Sequence, residues 1–208
     1  MPAPILIGLT GGIASGKSTV ARWVAEAGIP TLNADELGHR LLRSGHPGCD
    51  EVISCFGSGI LDEQGEIDRK RLGVLVFADP EALKRLNAIA HPWIGRIAQQ
   101  EAQAAAEQRE DRLVLLEAAL LLEADWSSFC TEVWVVQASA ATVMDRLTRQ
   151  RGLSVEDARQ RLDSQWTPEQ RKPFADVLIE NEGTLDEMKP QVEQELQLLQ
   201  NRHQPNRA

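Results

Sequence analysis

The residues with the clearest chemistry lie near the start of the chain. Gly11-Gly12-Ile13-Ala14-Ser15-Gly16-Lys17-Ser18 fits the spacing G-x-x-x-x-G-K-S. Glycines at these positions let the backbone wrap a phosphate with its N–H groups turned inward. A helix opening at Lys17 adds free N–H groups and a positive dipole end. Lys17 supplies the cation for the β- and γ-phosphates, and the Ser18 hydroxyl is placed to ligate Mg²⁺. Gly12, Ala14, Ser15, Gly16, Lys17, Ser18 and Thr19 are therefore the expected nucleotide-binding residues. The dinucleotide fingerprint G-x-G-x-x-G is absent. Asp62-Glu63-Gln64-Gly65 has the D-x-x-G spacing of a GTPase switch, but no N-K-x-D accompanies it.

Other residues carry chemistry with two readings each. Asp35 follows a short apolar run; it is either a base for an attacking hydroxyl or a helix N-cap. Glu117 ends another apolar run and is either a Walker-B-type acid near Mg²⁺ or a first-turn helix acid. Residues 142–172 hold seven basic and five acidic side chains in a chain of net charge −9. There Arg146, Arg149 and Arg151 cluster before Gly152 and read as lid arginines for transferring phosphates, Arg149 and Arg151 above all, or as a solvated face with Arg149 paired to Asp145. His91 either contacts an anionic acceptor or satisfies a backbone group. His39, His46, Cys49 and Cys55 fit no structural zinc spacing.

The elements that must position these residues follow from apolar patterning. Strands are expected at 4–10, 29–32, 113–116, 132–137 and 176–179, because short apolar or β-branched runs there are bounded by glycines and polar turns. Helices are expected at 18–27, 35–44, 49–56, 68–77, 81–90, 93–110, 140–151, 154–165 and 184–200. Pro92 reads as the first residue of a new helix. The fold class is α/β: a P-loop NTPase-type parallel sheet flanked by helices, with a helical substrate-binding insertion and a helical lid. The expected organisation is a nucleotide-binding core of residues 1–34, 111–139 and 174–200, an acceptor lobe at 35–110, a lid at 140–173 and a flexible tail at 201–208.

Composition bounds the partners. At 208 residues the chain suits one domain with inserted lobes. The excess of 31 acidic over 22 basic residues argues against a nucleic-acid backbone as partner. No apolar run approaches the ~20 residues that cross a bilayer, and no secretory leader is evident. Three cysteines suit free thiols in a reducing cytoplasm. A monomer or weak homo-oligomer is expected.

Read in order, Gly8 to Thr19, Asn33-Ala34-Asp35, Ile67-Asp68-Arg69, His91-Pro92, Leu120 to Glu123, Gln165 and Ala175 to Asn181 resemble the dephospho-CoA kinase family. The resemblance implies phosphorylation of the 3′-hydroxyl of dephospho-CoA, with ATP and Mg²⁺. It implies Asp35 as base; Arg69, His91 and Leu120 in acceptor binding; and Asn181 beside the adenine. Asn33 stands for the family's usual Asp, Ala119 for a usual Pro, and Gln150 where the family's lid arginine is expected. The alternatives are a kinase of another small acceptor and a nucleotide-binding regulatory module without turnover.

Overall fold

The structure is a computed structural model that describes residues 3–163 and 165–203. Five parallel strands form one sheet in the order β2-β3-β1-β4-β5. They are β1 (Ile5–Gly11), β2 (Thr31–Asn33), β3 (Leu113–Glu117), β4 (Glu132–Gln137) and β5 (Val177–Glu180). Parallel strands covered on both faces carry nearly unbroken apolar sequence, and β3, LVLLE, is buried at every residue. β1 lies between β3 and β4, with Leu9 paired to Glu117 and Thr10 to Val135.

The helices are α1 (Lys17–Glu26), α2 (Ala34–Leu41), α3 (Pro47–Phe56), α4 (Arg69–Ala78), α5 (Pro80–Ala106), α6 (Ala140–Asp145), α7 (Val155–Asp163), α8 (Pro168–Arg171) and α9 (Leu185–His203). Met188, Val192, Leu196 and Leu199 line one stripe of α9 at helical spacing. They join Val20 and Val24 of α1 over Ile7, Leu9, Trp134 and Val136 of the sheet. α1 stops at Gly28, whose φ of 82° suits glycine. Gly28 N–H bonds the Ala25 carbonyl and Ile29 N–H the Val24 carbonyl, which closes a Schellman end.

The chain divides into two compact units: residues 1–32 with 101–208, and residues 33–100. The second unit has its own core of Cys49, Val52, Ile60, Ile67, Leu72, Val76 and Ala82. In it Asp62 bonds the N–H groups of Gln64 and Glu66, so the D-x-x-G spacing marks a turn. His46 caps α3 by accepting from Gly48 N–H at 3.1 Å. Among the described residues no cluster of His, Cys, Asp and Glu can hold a metal ion by itself.

Of the boundaries that differ from those expected, three have a clear physical cause. The break at His91-Pro92 is absent: α5 runs from Pro80 to Ala106 with Pro92 inside it. A proline removes one N–H from the ladder without ending a helix whose flanks are held by packing, and Ala82, Ile94, Ala98 and Ala102 are buried. The helix expected at 140–151 changes gauge, with a wider π-type turn over Arg146–Gln150. The start of the expected tail is helical to His203, because Arg202 donates to Glu132 at 2.7 Å; residues 204–208 lie outside the described residues.

Arg109 ties the end of α1 to the start of β3. It donates to both Asp111 oxygens, at 2.7 and 2.6 Å, and to the Gly28 carbonyl. The hydrogen bond from Arg109, followed by that from Leu113 N–H, holds the Asp111 carboxyl below its usual range. Such a group contributes stability above its unfolded pKa and loses it as pH falls through the folded value. Asp111→Asn should lower stability by about 1–3 kcal/mol at neutral pH. In urea titrations this gap to wild type should narrow below about pH 4; a gap that stays constant into acid would contradict the assignment.

Candidate active site

The loop Gly11–Gly16 leaves the carboxyl end of β1 in the middle of the sheet, where ligands of parallel sheets gather. It turns tightly, with Ser15 N–H bonded to the Gly12 carbonyl at 3.2 Å. Ala14 sits at φ 56° and Gly16 at φ 102°, and Gly16 caps α1 without a side chain. A side chain at Gly16 would strike the Asn181 amide. Thr19 N–H bonds the Gly16 carbonyl at 2.9 Å. The N–H groups of Ala14, Gly16, Lys17 and Ser18 have no partner within the loop and helix, so they form the free donor set of an anion cradle.

Glu117 completes this cradle from β3. Its Oε1 accepts from Lys17 Nζ and from Ser18 Oγ, each at 2.7 Å. The Lys17 and Glu117 side chains are 15% and 7% exposed, so this ion pair has little screening by water. The register that pairs Leu9 with Glu117 puts the carboxylate across from the loop. Glu117 is therefore the last residue of a strand, not the first-turn helix acid of the alternative reading. A hydroxyl and a carboxylate this close suit Mg²⁺, which takes few protein ligands and fills its sphere with phosphate oxygens and water.

A second set of side chains holds the loop in shape. Asn181 is buried; its Nδ2 donates to the Ser15 carbonyl at 2.7 Å. Arg146 Nη2 donates to the Asn181 Oδ1 and carbonyl, and Arg146 Nη1 to the Ala14 carbonyl at 3.2 Å. Gln165 accepts from Ile13 N–H at 2.8 Å. Asn181, expected beside the adenine, lies against the loop, where both halves of its amide are engaged by Ser15 and Arg146. A cavity of about 810 Å³ opens beside this loop, lined in part by Gly12, Ile13, Ser15, Gln137 and Arg171.

This sheet, loop and acid agree with comparison to known proteins. Residues 5–187 match the family model for dephospho-CoA kinase. The chain belongs to the dephospho-CoA kinase family. It is 41% identical to the dephospho-CoA kinase of Geobacter metallireducens over 189 residues, which cover 90% of this chain and 93% of that one. It is 39% identical to that of Shouchella clausii over 186 residues, or 89% and 94% of the two chains. Among solved structures, a Thermus thermophilus protein superposes with a TM-score of 0.75 at 33% identity, covering 97% and 98% of the chains. The dephospho-CoA kinase from Campylobacter jejuni gives 0.72 at 27% identity, covering 94% and 97%. The chain is a kinase of the P-loop type, with a nucleotide as phosphoryl donor.

The remaining expected residues of this dephospho-CoA kinase family member fall in different places. Asp35, Arg69 and His91 all belong to the unit of residues 33–100. Asp35 is exposed in the first turn of α2, and Asn33 is that helix's cap, accepting from Asp35 N–H at 2.9 Å and Glu36 N–H at 3.3 Å. The capping alternative for Asp35 is corrected accordingly. Asn caps a helix as well as Asp would, so the Asn33 amide suffices for this end of α2. Arg69 is exposed at the start of α4, after its cap Asp68. His91 is half-buried inside α5, and burial lowers its pKa, which keeps the ring neutral near pH 7. Leu120 is 44% exposed in the turn after β3. Arg149 is exposed and paired to Asp145 at 2.8 Å, and Arg151 is exposed; the structure brings neither to the loop. Sequence marks Arg146 only as one of three arginines before Gly152, and it does not mark Arg171. The local excess of basic charge marked their region, but not which arginine turns inward.

Two outcomes follow from this geometry. Asn181→Leu removes the brace on Ser15 and should raise the KM for ATP at least about tenfold while costing about 1–3 kcal/mol of stability; an unchanged KM would show that the loop holds its own shape. Glu117→Ala leaves Lys17 without its buried partner and should cost about 3–5 kcal/mol in denaturant unfolding; a loss below about 1 kcal/mol would mean that the pair is solvated.

Proposed function

We propose that the chain transfers the γ-phosphoryl group of ATP to the 3′-hydroxyl of dephospho-CoA, giving coenzyme A and ADP. The observation that carries this reading is a dephospho-CoA kinase match running from β1 into α9, with the phosphate loop and Glu117 built as one cluster. In this reading Lys17 and the free amides of Ala14, Gly16, Lys17 and Ser18 bind the triphosphate. Ser18 and Glu117 hold Mg²⁺, which offsets charge on the phosphate oxygens when bound. Asp35 accepts the proton of the 3′-hydroxyl as its oxygen bonds to the γ-phosphorus and the bond to the ADP oxygen breaks. Asp35 then returns that proton to water.

Residues 35–110 are the acceptor lobe in this reading, with Arg69 and His91 on the acceptor. Leu120 contributes from the turn after β3, and residues 140–173 form the lid. A neutral His91 donates a hydrogen bond to an anion without adding charge. The enzyme works in the cytoplasm as a monomer or weak homo-oligomer. Three unpaired cysteines support a reducing compartment, and no helix among the described residues is long and apolar enough to cross a membrane.

The test is ADP formation by the purified protein with ATP and Mg²⁺, with dephospho-CoA, AMP or gluconate as acceptor. Only dephospho-CoA should support turnover. Asp35→Asn should lose about 10²–10⁴-fold in kcat while still binding ATP. Turnover with another acceptor alone would overturn the substrate; tight ATP binding without turnover on any acceptor would point to a regulatory module.

A further inference from the structure

Arg171 is the buried cation that the reaction described above leaves without a task. It lies at the end of α8 and is only 4% exposed. Its Nε has no hydrogen-bond partner among the described residues. Burial lowers its pKa, and only the Glu123 carboxylate opposes that shift. Glu123 Oε2 is itself buried and unpartnered, so the two do not satisfy each other through these atoms. A buried guanidinium with an unmet Nε is costly to maintain for packing alone.

Its position says what it faces. A Cβ built on Gly12 would stand 3.3 Å from Arg171 Nη1, so the guanidinium lies directly over the first turn of the phosphate loop. The same imaginary atom would be 3.7 Å from Gln165 Oε1, the acceptor that holds Ile13 N–H. Arg171 lines the cavity of about 810 Å³ beside the loop. Two further buried polar atoms without partners, Ser15 Oγ and Gln137 Oε1, belong to residues lining that cavity. These unmet polar atoms, Arg171 Nε a donor, Ser15 Oγ a donor or acceptor and Gln137 Oε1 an acceptor, call for a polar occupant at this cavity wall. Beside a cradle of free amides, a planar fork of N–H donors suits phosphate oxygens. Arg146 is already engaged by carbonyls, and Arg149 by Asp145.

We propose that Arg171 grips the phosphate chain of the nucleotide from the Gly12 side of the loop, the charge contact that Arg149 and Arg151 were expected to make. The proposal rests on the nucleotide-dependent reaction above. It deepens that reading by assigning a polyphosphate-contacting residue from α8 instead of the 146–151 segment.

The experiment compares wild type, Arg171→Lys, Arg171→Met and the double variant Arg171→Met/Glu123→Gln. The double variant removes both buried charges together, so it separates a phosphate contact from a structural partnership and keeps the test alive if Arg171→Met does not fold. Affinity for ATP and for adenosine, and kcat, are measured on each. The wild-type arginine Nε–H resonance, assigned by its loss in Arg171→Lys, is followed as inorganic tripolyphosphate is added. The expected result is an ATP affinity or kcat lowered at least about tenfold in the double variant, adenosine affinity within threefold of wild type, and a shifted resonance. A double variant within about threefold of wild type in both ATP affinity and kcat, with an unmoved resonance, would overturn the proposal. If wild type turns over no dephospho-CoA yet ATP binding still needs Arg171, the acceptor reading fails and the Arg171 contact stands.

Discussion

One buried carboxylate oxygen organises the catalytic half of this molecule. Glu117 Oε1 receives both the Lys17 ammonium and the Ser18 hydroxyl at 2.7 Å, in a place with little water. That contact exists only while β3 and β1 keep their register, because a slip of one residue would turn Glu117 to the opposite face of the sheet. The register in turn depends on a core that seats Leu113 and Leu115 against Ile7, Leu9 and Trp134. Apolar packing thus holds a charge in position, and the charge holds the first turn of α1.

The phosphate loop is poor in contacts of its own. It has three glycines and an alanine in a left-handed conformation, and one internal backbone bond, from Ser15 N–H to the Gly12 carbonyl, lies within it. Its shape is imposed from later parts of the chain: Asn181 after β5 on Ser15, Arg146 on Ala14, and Gln165 on Ile13. The donors that meet a ligand are thereby preorganised by residues more than a hundred positions away in sequence. Such support is what electrostatic catalysis requires, since donors already aimed need no rearrangement when charge develops.

The loop, the five strands and most helices were legible in the sequence for physical reasons. A glycine-rich turn between an apolar strand and a helix has few other uses, and β1, β3 and β4 are apolar enough to need burial on both faces. The continuity of α5 through Pro92 was not legible, because a local rule about proline competes with packing by residues distant in sequence. Nor was the side chain on the far side of the loop. Arg171 sits on a four-residue helix, too short for any periodicity to show which face turns inward. Asn33 shows the reverse case: it has the spacing of a cap, but Asp35 two residues on is an equally good cap by residue type, and local sequence does not choose between them.

This cradle serves transfer to one hydroxyl of one acceptor. The most direct measurement is ³¹P and ¹H NMR of the product formed from ATP and dephospho-CoA. The expected result is a new phosphomonoester coupled to the ribose H3′, in an amount equal to the ADP formed. A phosphoester on another hydroxyl, or ADP formed without any phosphorylated acceptor, would contradict it.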